Sequence, residues 1–361
     1  MHKVCFFSGD ITRSGGTERV SVMIANELKR QGNYDILFLS LTEQGKEPFF
    51  PLESGINHFS LGDRWISPGP AYLPVVRKLR RFIREQRVEV LIDIDIVLDV
   101  LSLLAARGMN TKIISWEHSN CDYEMSVRYR RLILKYSVKR TDYVVTLTEG
   151  DKKCYKERLK RQENIRTIYN PVREALREKE EKKEKWIITT GRLVPVKGID
   201  YLAETAIRVL KNHADWKWLF LGEGEERSYL EQQIAENGLE KQLILTGRVT
   251  EVDAYLEKAQ IFVLTSRSEG LPMCLLEAKA HHLPCVSFNI KTGPNEIIED
   301  GINGYLIDPF DCGKMAEKLE LLIENEELRA DFAAHSQDNI EKFQMEHIIE
   351  NWNEVLRQLC G

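Results

Sequence analysis

The chain has 361 residues, of which 43% are hydrophobic and 30% charged, and its formal net charge is −5. Its length favours two domains, its composition is typical of a soluble globular protein, and its acidic balance argues against a general nucleic-acid binder. The seven cysteines have no metal-ligand spacing, and an odd, unpatterned set fits a reducing compartment.

The first half opens with a buried strand, a glycine loop and a helix. Lys3 to Ser8 is the predicted strand, and the helix begins near Thr17, as in a Rossmann-type unit. The fingerprint GxGxxG is absent, which disfavours a hydride-transfer enzyme. Gly15 and Gly16 either allow the backbone to approach a ligand closely or simply make the turn.

No segment reads as an export signal or a membrane span. The apolar run Val4 to Phe7 is too short for a signal peptide, and the apolar region 88–106 is interrupted by aspartates. We therefore expect a cytoplasmic protein.

Two predicted helices in the first half are rich in arginine and lysine. They cover residues 73–87 and 128–140. Such runs are most often solvated helix faces, but they also suit docking on an anionic membrane surface. The second interpretation predicts a protein peripheral to the inner face of a membrane.

Further strands are predicted at 36–41, 90–94, 112–115, 143–147 and 165–169. The strand at 112–115 ends in the polar cluster 116–120, and open α/β sheets bind ligands at such strand ends. His118 is a candidate for acid–base chemistry or for holding a sugar hydroxyl, although a lone histidine is more often structural.

A second run of alternating strands and helices follows the charged stretch 173–185, which reads as an exposed linker. The strand 186–190 leads into the loop GRLVPVKG. Arg192 and Lys197 in this loop can hold a diphosphate, unless they are ordinary surface charges. Strands at 218–221, 243–245 and 261–264 precede further glycine-containing turns.

The stretch 265–280, TSRSEGLPMCLLEAKA, follows a short apolar strand. Pro272 fits the first helical position, and a helix from Met273 would offer free N–H groups to an anion. Glu269 and Glu277 would flank that anion, as in a site for a nucleotide-sugar. Alternatively, Glu269 caps the helix and Glu277 is a solvated surface residue.

In order and spacing, these residues resemble the retaining glycosyltransferases of family 4. The resemblance covers nearly the whole chain, and GRLVPVKG, FLGEGEE and SEGLPMCLLEA are its specific motifs. The first half, with SGGTERV and ISWEHSN, is similar to the branch that elongates lipid-linked oligosaccharides and bacterial surface polysaccharides. The implied fold is α/β of the GT-B type, with two facing Rossmann-like domains and a C-terminal helix that crosses back to the first.

The resemblance assigns an acceptor-binding domain to 1–172, joined by a helix at about 343–361, and a donor-binding domain to 173–342. It implies catalytic roles at the donor sugar and diphosphate for His118, Arg192, Lys197 and Glu269. It implies substrate binding by Gly15, Gly16, Glu223, Arg248, Val249, Gly270, Leu271, Pro272, Met273 and Glu277. Glu277 would bind the ribose, Arg248 and Val249 would face the nucleobase, and Gly15 and Gly16 would approach the phosphates or the acceptor.

The implied reaction moves a hexose or N-acetylhexosamine, with retention, from a UDP-linked donor to a sugar hydroxyl of a lipid-linked or polysaccharide acceptor. Arginine and lysine can neutralise the diphosphate, so no metal is expected. The triplet Asp93-Ile94-Asp95 matches the metal-binding pattern DxD but continues a buried strand. The alternatives are a non-catalytic nucleotide-sugar-binding partner and an epimerase or phosphorylase on the same fold.

Overall fold

The computed structural model describes residues 1–63, 72–172 and 182–361. The chain divides into two compact units: unit 1 is Met1–Pro171 with Lys342–Gly361, and unit 2 is Val172–Glu341. Most of the charged stretch predicted as a linker, 173–181, lies outside the described residues.

Unit 1 is built on a parallel sheet with the strand order β3-β2-β1-β4-β5-β6-β7. The strands are β1 (His2–Ser8), β2 (Tyr34–Ser40), β3 (Asn57–Ser60), β4 (Val90–Ile94), β5 (Lys112–Trp116), β6 (Tyr143–Thr146) and β7 (Ile165–Thr167). The helices are α1 (Gly16–Gln31), α2 (Tyr72–Gln86), α3 (Ile96–Ala105), α4 (Cys121–Ser126), α5 (Arg128–Ser137) and α6 (Glu149–Arg158).

Unit 2 repeats this arrangement with the strand order β10-β9-β8-β11-β12-β13. The strands are β8 (Trp186–Thr190), β9 (Lys217–Leu221), β10 (Leu243–Gly247), β11 (Ile261–Leu264), β12 (Cys285–Phe288) and β13 (Gly304–Ile307). The helices are α7 (Ile199–Leu210), α8 (Arg227–Asn237), α9 (Val252–Lys258), α10 (Met273–Ala280), α11 (Pro294–Ile297), α12 (Cys312–Glu324) and α13 (Glu326–Ala334).

Both sheets are doubly wound, with the strand order reversing between β1 and β4 and between β8 and β11. Every residue of β4 and of β11 is buried, as expected for parallel strands covered on both faces. Such sheets bind ligands at the carboxyl ends of the strands beside the reversal. The prediction of an α/β fold with two parallel sheets is therefore confirmed.

The last helix, α14 (Met345–Cys360), belongs to unit 1. Its Trp352 is fully buried and packs against Trp116 and Phe6, with ring centroids 4.9 and 6.5 Å apart. The apolar face of this helix thus completes the core beside β1 and β5.

Arg130, counted in the sequence as part of a basic helix face, is buried. Its Nε donates to both carboxylate oxygens of Glu124, at 2.8 and 2.7 Å, and its Nη2 donates to Asp95 at 2.8 Å. Arg80 on α2 is half-buried and donates to the carbonyls of Ala105 and Arg107. The sequence predicted that the basic residues of 73–87 and 128–140 face a membrane. For Arg80 and Arg130 this prediction is wrong, because their guanidinium groups bind residues of unit 1.

The carboxylates of the triplet Asp93-Ile94-Asp95 have separate partners. Asp93 is fully buried and accepts from the hydroxyl of Ser102 at 2.6 Å, while Asp95 caps α3 by accepting from the N–H of Val97. Burial, and secondarily the charge of nearby Asp99, raises the pKa of Asp93 well above its usual range. The triplet therefore has a structural role.

Cys121 and Cys154 form a disulfide between α4 and α6. The partners are 33 residues apart in the chain, and their spacing carries no signal for the pair. The other five cysteines are free. The expectation of a reducing compartment, drawn from the cysteine pattern, thus finds no support in this pair.

None of the helices in the described part of the chain combines the length and the apolar character needed to cross a bilayer.

Candidate active site

The loops after β8 and β11 meet at the point where the strand order of unit 2 reverses. The first loop ends in a single turn of 3₁₀ helix, Pro195–Lys197, and the second runs from Thr265 to Pro272. Because β8 and β11 are parallel neighbours, their carboxyl ends lie at the same sheet edge. The sequence had singled out both loops.

Lys197 and Glu269 form an ion pair across these loops, with Nζ 2.7 Å from Oε1. The side chains are only 23% and 12% exposed, and the hydroxyl of Ser266 donates to the same carboxylate oxygen at 2.6 Å. Burial has the largest influence on the pKa of Lys197 and lowers it, but the charge of Glu269, the nearby Cys274 and the hydrogen bond to Glu269 together raise this pKa above its usual value. Lys197 is therefore fully protonated at neutral pH, and Glu269 fixes its ammonium group at the sheet edge.

The turn that carries Lys197 is bonded to the second loop at three consecutive carbonyls. Pro195 accepts from Nη1 of Arg267 at 2.7 Å, Val196 from the N–H of Arg267 at 2.8 Å, and Lys197 from the hydroxyl of Thr265 at 3.0 Å. Sequence analysis missed Arg267 and Thr265. The available signal was a charged residue and a hydroxyl immediately after a fully apolar strand.

Arg192 lies earlier in the first loop and is exposed. No described residue is seen to pair with its guanidinium. The backbone beside it is fixed, because Leu193 donates to the carbonyl of Glu223 and accepts from the N–H of Glu226, both at 2.9 Å. The loop after β9 thus supports a guanidinium that is available to a ligand.

Glu223 itself ion-pairs with Arg227, at 2.5 Å, and lies beside Gly247 at the end of β10. Arg248 and Val249 follow at once, Arg248 exposed and Val249 half-buried. These three predicted substrate-binding residues are thus close together at the edge of β9 and β10.

The start of α10 is shaped as predicted, with one difference. Pro272 precedes the helix as its N-cap instead of occupying the first helical position, and no side chain caps this end. Gly270 and Leu271 lie between Glu269 and Pro272, and Met273 is the first residue of the helix. The hydroxyl of Thr292 donates to the carbonyl of Glu269 at 2.8 Å. The free N–H groups at this end remain open to an anion.

Glu277 lies on α10 and is half-buried. Burial raises the pKa of Cys274 to about 12, with Lys197 lowering it and Glu269 and Glu277 raising it further. One thiol thus experiences the charges of three predicted site residues, so α10 brings Glu277 to the same region as the ion pair. Cys274, a neutral thiol at this site, was not predicted.

In unit 1, His118 follows β5 and is flanked by residues bound to the backbone. Glu117 accepts from the N–H of Ser119 and Asn120 from the N–H of Tyr123, both at 2.8 Å. Nε2 of His118 is buried without a hydrogen-bond partner among the described residues. Burial lowers the pKa of His118 to about 3, so the ring is neutral at pH 7.

The neutral state of His118 predicts a specific pH response. A base with a pKa of about 3 takes up no proton between about pH 5 and 8, so the kcat profile should lack an inflection from this ring. His118→Gln should lower kcat about fivefold, because the loss of one hydrogen bond to the substrate costs about 1 kcal/mol. The shape of the pH profile should not change. Initial rates of both proteins across this range test it; loss of an inflection near about pH 6.5 in the variant would contradict it.

Gly15 is the N-cap of α1, and Gly16 is the first residue of that helix. The carboxylate of Glu18 lies so close to Gly15 that a Cβ atom there would be 2.1 Å from Oε2. A carboxylate at a helix start satisfies the positive end of the helix dipole. The positive end of α1 beside Gly15 and Gly16 is thus already met by the carboxylate of Glu18.

In the described ranges, no group of three or more histidine, cysteine, aspartate or glutamate side chains could hold a metal ion.

Comparisons with known proteins agree with this architecture. Residues 172–338 match the family model of glycosyl transferases group 1, and residues 14–176 match that of glycosyltransferase family 4. An uncharacterized glycosyltransferase of Haemophilus influenzae is 34% identical over 99% of this chain and 100% of its own.

Two further matches carry more specific names. A Campylobacter jejuni N-acetyl-D-galactosaminyltransferase, named for the acceptor GalNAc-GalNAc-diNAcBac-PP-undecaprenol, is 26% identical over 99% of both chains. A solved structure of a Staphylococcus aureus TarM mutant, in complex with fondaparinux, alpha-GlcNAc-glycerol and UDP, is 28% identical with a TM-score of 0.68. That match covers 78% of this chain and 58% of the TarM chain.

The two family matches, the full-length relative and the presence of one doubly wound sheet in each unit establish the class of the protein. The chain belongs to glycosyltransferase family 4, whose members have the GT-B fold.

Proposed function

We propose that the chain is a retaining glycosyltransferase that moves a hexose or N-acetylhexosamine from a UDP-sugar to a sugar hydroxyl of a lipid-linked or polysaccharide acceptor. The observation that carries the proposal is the Lys197–Glu269 ion pair beside the open start of α10. A half-buried ammonium and free helix N–H groups match the two negative charges of a diphosphate leaving group.

Each predicted donor residue has a place in this scheme. Lys197 and the exposed guanidinium of Arg192 would stabilise the charge that develops on the diphosphate, and Glu269 would orient Lys197 and bind the donor sugar. Glu277 would take the ribose hydroxyls. The residues at the ends of β9 and β10 would face the nucleobase; they are Glu223, Arg248 and Val249.

For the proposed retaining reaction, the hydrogen bonds of Glu269 disfavour a covalent intermediate on this side chain. Its Oε1 already accepts from Lys197 and Ser266, which makes it a poor nucleophile. We propose that the bond from the anomeric carbon to the diphosphate breaks as the acceptor oxygen attacks on the same face. The hydroxyl proton then passes to the departing phosphate oxygen. Lys197 and Arg192 supply the positive charge, so we expect activity to persist in EDTA.

UDP and a lipid-linked acceptor have specific support. The TarM mutant, 28% identical, was solved with UDP, and the name of the Campylobacter jejuni relative contains an undecaprenol-linked acceptor. In unit 1, His118 would contact the donor sugar, while Gly15 and Gly16 would approach the acceptor.

A panel of nucleotide-sugars tests the donor assignment. A ligand that binds only the native state raises the melting temperature, so UDP-hexoses or UDP-N-acetylhexosamines should stabilise the protein more than their GDP counterparts. The donor that stabilises most should also release UDP in the presence of a glycolipid extract and EDTA. Stabilisation by GDP-sugars alone would contradict the choice of base, and loss of turnover in EDTA would contradict the metal-independent scheme.

An acceptor at a membrane requires the enzyme to reach it, and α5 offers a suitable surface. We define the basic–aromatic surface as Arg128, Tyr129, Arg131, Leu132 and Lys135. All five side chains are exposed, Tyr129 by 51% and Leu132 by 64%. Cationic side chains interleaved with exposed apolar ones suit an anionic bilayer.

We expect this surface to bind vesicles containing phosphatidylglycerol at low salt and to release them as salt screens the charges. The double variant Arg131→Glu, Lys135→Glu should lose most of the binding, because each basic residue contributes about 1 kcal/mol near an anionic surface. Vesicle flotation measures the bound fraction, with the double variant Arg208→Glu, Lys211→Glu of two exposed residues in unit 2 as a control with the same change in charge. Equal flotation of both variants would rule out this surface.

A further inference from the structure

The turn that presents Lys197 has little structure of its own. It is one turn of 3₁₀ helix closed by hydrogen bonds from Lys197 to Val194, at 2.9 Å, and from Gly198 to Pro195, at 3.1 Å. Val196 at its tip is 37% exposed. Contacts with neighbouring segments of the chain must therefore fix the position of this turn at the sheet edge.

Arg267 supplies most of that restraint. Its backbone N–H and its Nη1 bind two consecutive carbonyls of the turn, those of Val196 and Pro195. Its Nη2 binds Asp200 Oδ2 at 2.5 Å, in the first turn of α7. The guanidinium also lies over the ring of Tyr201, 4.4 Å from its centroid.

These contacts need the planar fork of arginine. One nitrogen reaches a carbonyl in the loop, the other reaches a carboxylate on the following helix, and the flat face stacks on an aromatic ring. The turn is also pressed close to the second loop, because a Cβ at Gly198 would lie 2.1 Å from the carbonyl oxygen of Thr265. The side chain of Arg267 thus adds to the bonds made by its own N–H and by Thr265, and it alone among these links the turn to α7 as well.

We propose that Arg267 is a positioning residue that fixes the Lys197 turn, and so sets where the ammonium meets the donor diphosphate. This inference rests on the proposed role of Lys197 as a phosphate ligand. Arg267 itself does not contact the diphosphate in this proposal; it acts by positioning Lys197, which does. A displacement of about 1 Å at such a group lowers catalysis by up to about a hundredfold.

A double-mutant cycle tests this coupling. We would titrate UDP by calorimetry into the wild type, Arg267→Ala, Lys197→Ala and the double variant. Arg267→Ala should weaken UDP about tenfold in the wild-type background but less than about twofold once Lys197 is absent, because two residues acting through one contact are not additive. Arg267→Lys, which keeps the charge without the fork, should fall between wild type and alanine.

The control is Arg208→Ala, an exposed arginine on α7 paired with Glu204 at 2.7 Å. Melting temperatures of all variants report on folding; a lower melting temperature with unchanged UDP affinity would mean a structural role only and would overturn the inference. Equal weakening in both backgrounds would mean direct contact with UDP and would also overturn it. If Lys197→Ala alone leaves UDP affinity and turnover unchanged, the proposed function of Lys197 fails as well.

Discussion

Replacing Lys197 by alanine is expected to lower kcat by about 10²–10³-fold, the usual cost of removing one group that stabilises developing negative charge. The ammonium lies 2.7 Å from the carboxylate of Glu269, and its pKa is raised above the usual value for lysine. The group is therefore positively charged at neutral pH. Without it, the leaving diphosphate loses a cation whose position is fixed before the reaction. Steady-state release of the nucleoside diphosphate measures the effect.

A matched lysine serves as the control for this substitution. Lys314 also pairs with a glutamate at 2.7 Å, but both partners are exposed on α12. Lys314→Ala should leave kcat unchanged within about twofold, as surface ion pairs contribute little. Similar rates for the Lys197 and Lys314 variants would show that Lys197 does not act on the leaving group.

The second large effect concerns stability. Arg130→Leu should lower the free energy of unfolding of unit 1 by about 3–5 kcal/mol, because it leaves buried charges uncompensated. The side chain of Glu124 is fully buried, and Asp95 loses a partner at 2.8 Å. Urea unfolding followed by tryptophan fluorescence measures the loss, since Trp116 and Trp352 pack together in unit 1.

The neighbouring residue on α5 provides the comparison for Arg130. Arg131 is exposed, so Arg131→Leu should change stability by less than about 0.5 kcal/mol. In addition, Glu124→Leu combined with Arg130→Leu should recover part of the loss, because the buried carboxylate is removed with its partner. Equal unfolding midpoints for the two single variants would mean that the buried ion pair contributes nothing.

The order of strands and helices could be predicted because most of the parallel strands are short apolar runs followed by polar or glycine-containing turns. Strands β4, β8 and β11 begin and end where the sequence predicts. The same reasoning brought Lys197 and Glu269 together, since residues that follow neighbouring parallel strands share a sheet edge. The predicted roles of these residues stay predictions until the experiments above are done.

What sequence reasoning missed depends on partners that are distant in the chain. Arg130 repeats at helical spacing with surface arginines, and its partners Glu124 and Asp95 lie outside α5, six and 35 residues earlier. Arg267 binds a turn 72 residues earlier. Glu18 is near Gly15 in the chain, but it is the conformation of the Glu18 side chain that places the carboxylate against this glycine. None of these contacts has a local pattern, because each arises from how the loops and helices pack.

The anomeric configuration of the product tests the central claim most directly. The chain would be incubated with the UDP-sugar that stabilises it most and with a glycolipid acceptor, and the new glycosidic linkage would be assigned by proton NMR. Retaining transfer from an α-linked donor predicts an α-glycoside together with one UDP for each sugar transferred. A β-glycoside, or free sugar without any glycosylated acceptor, would contradict it.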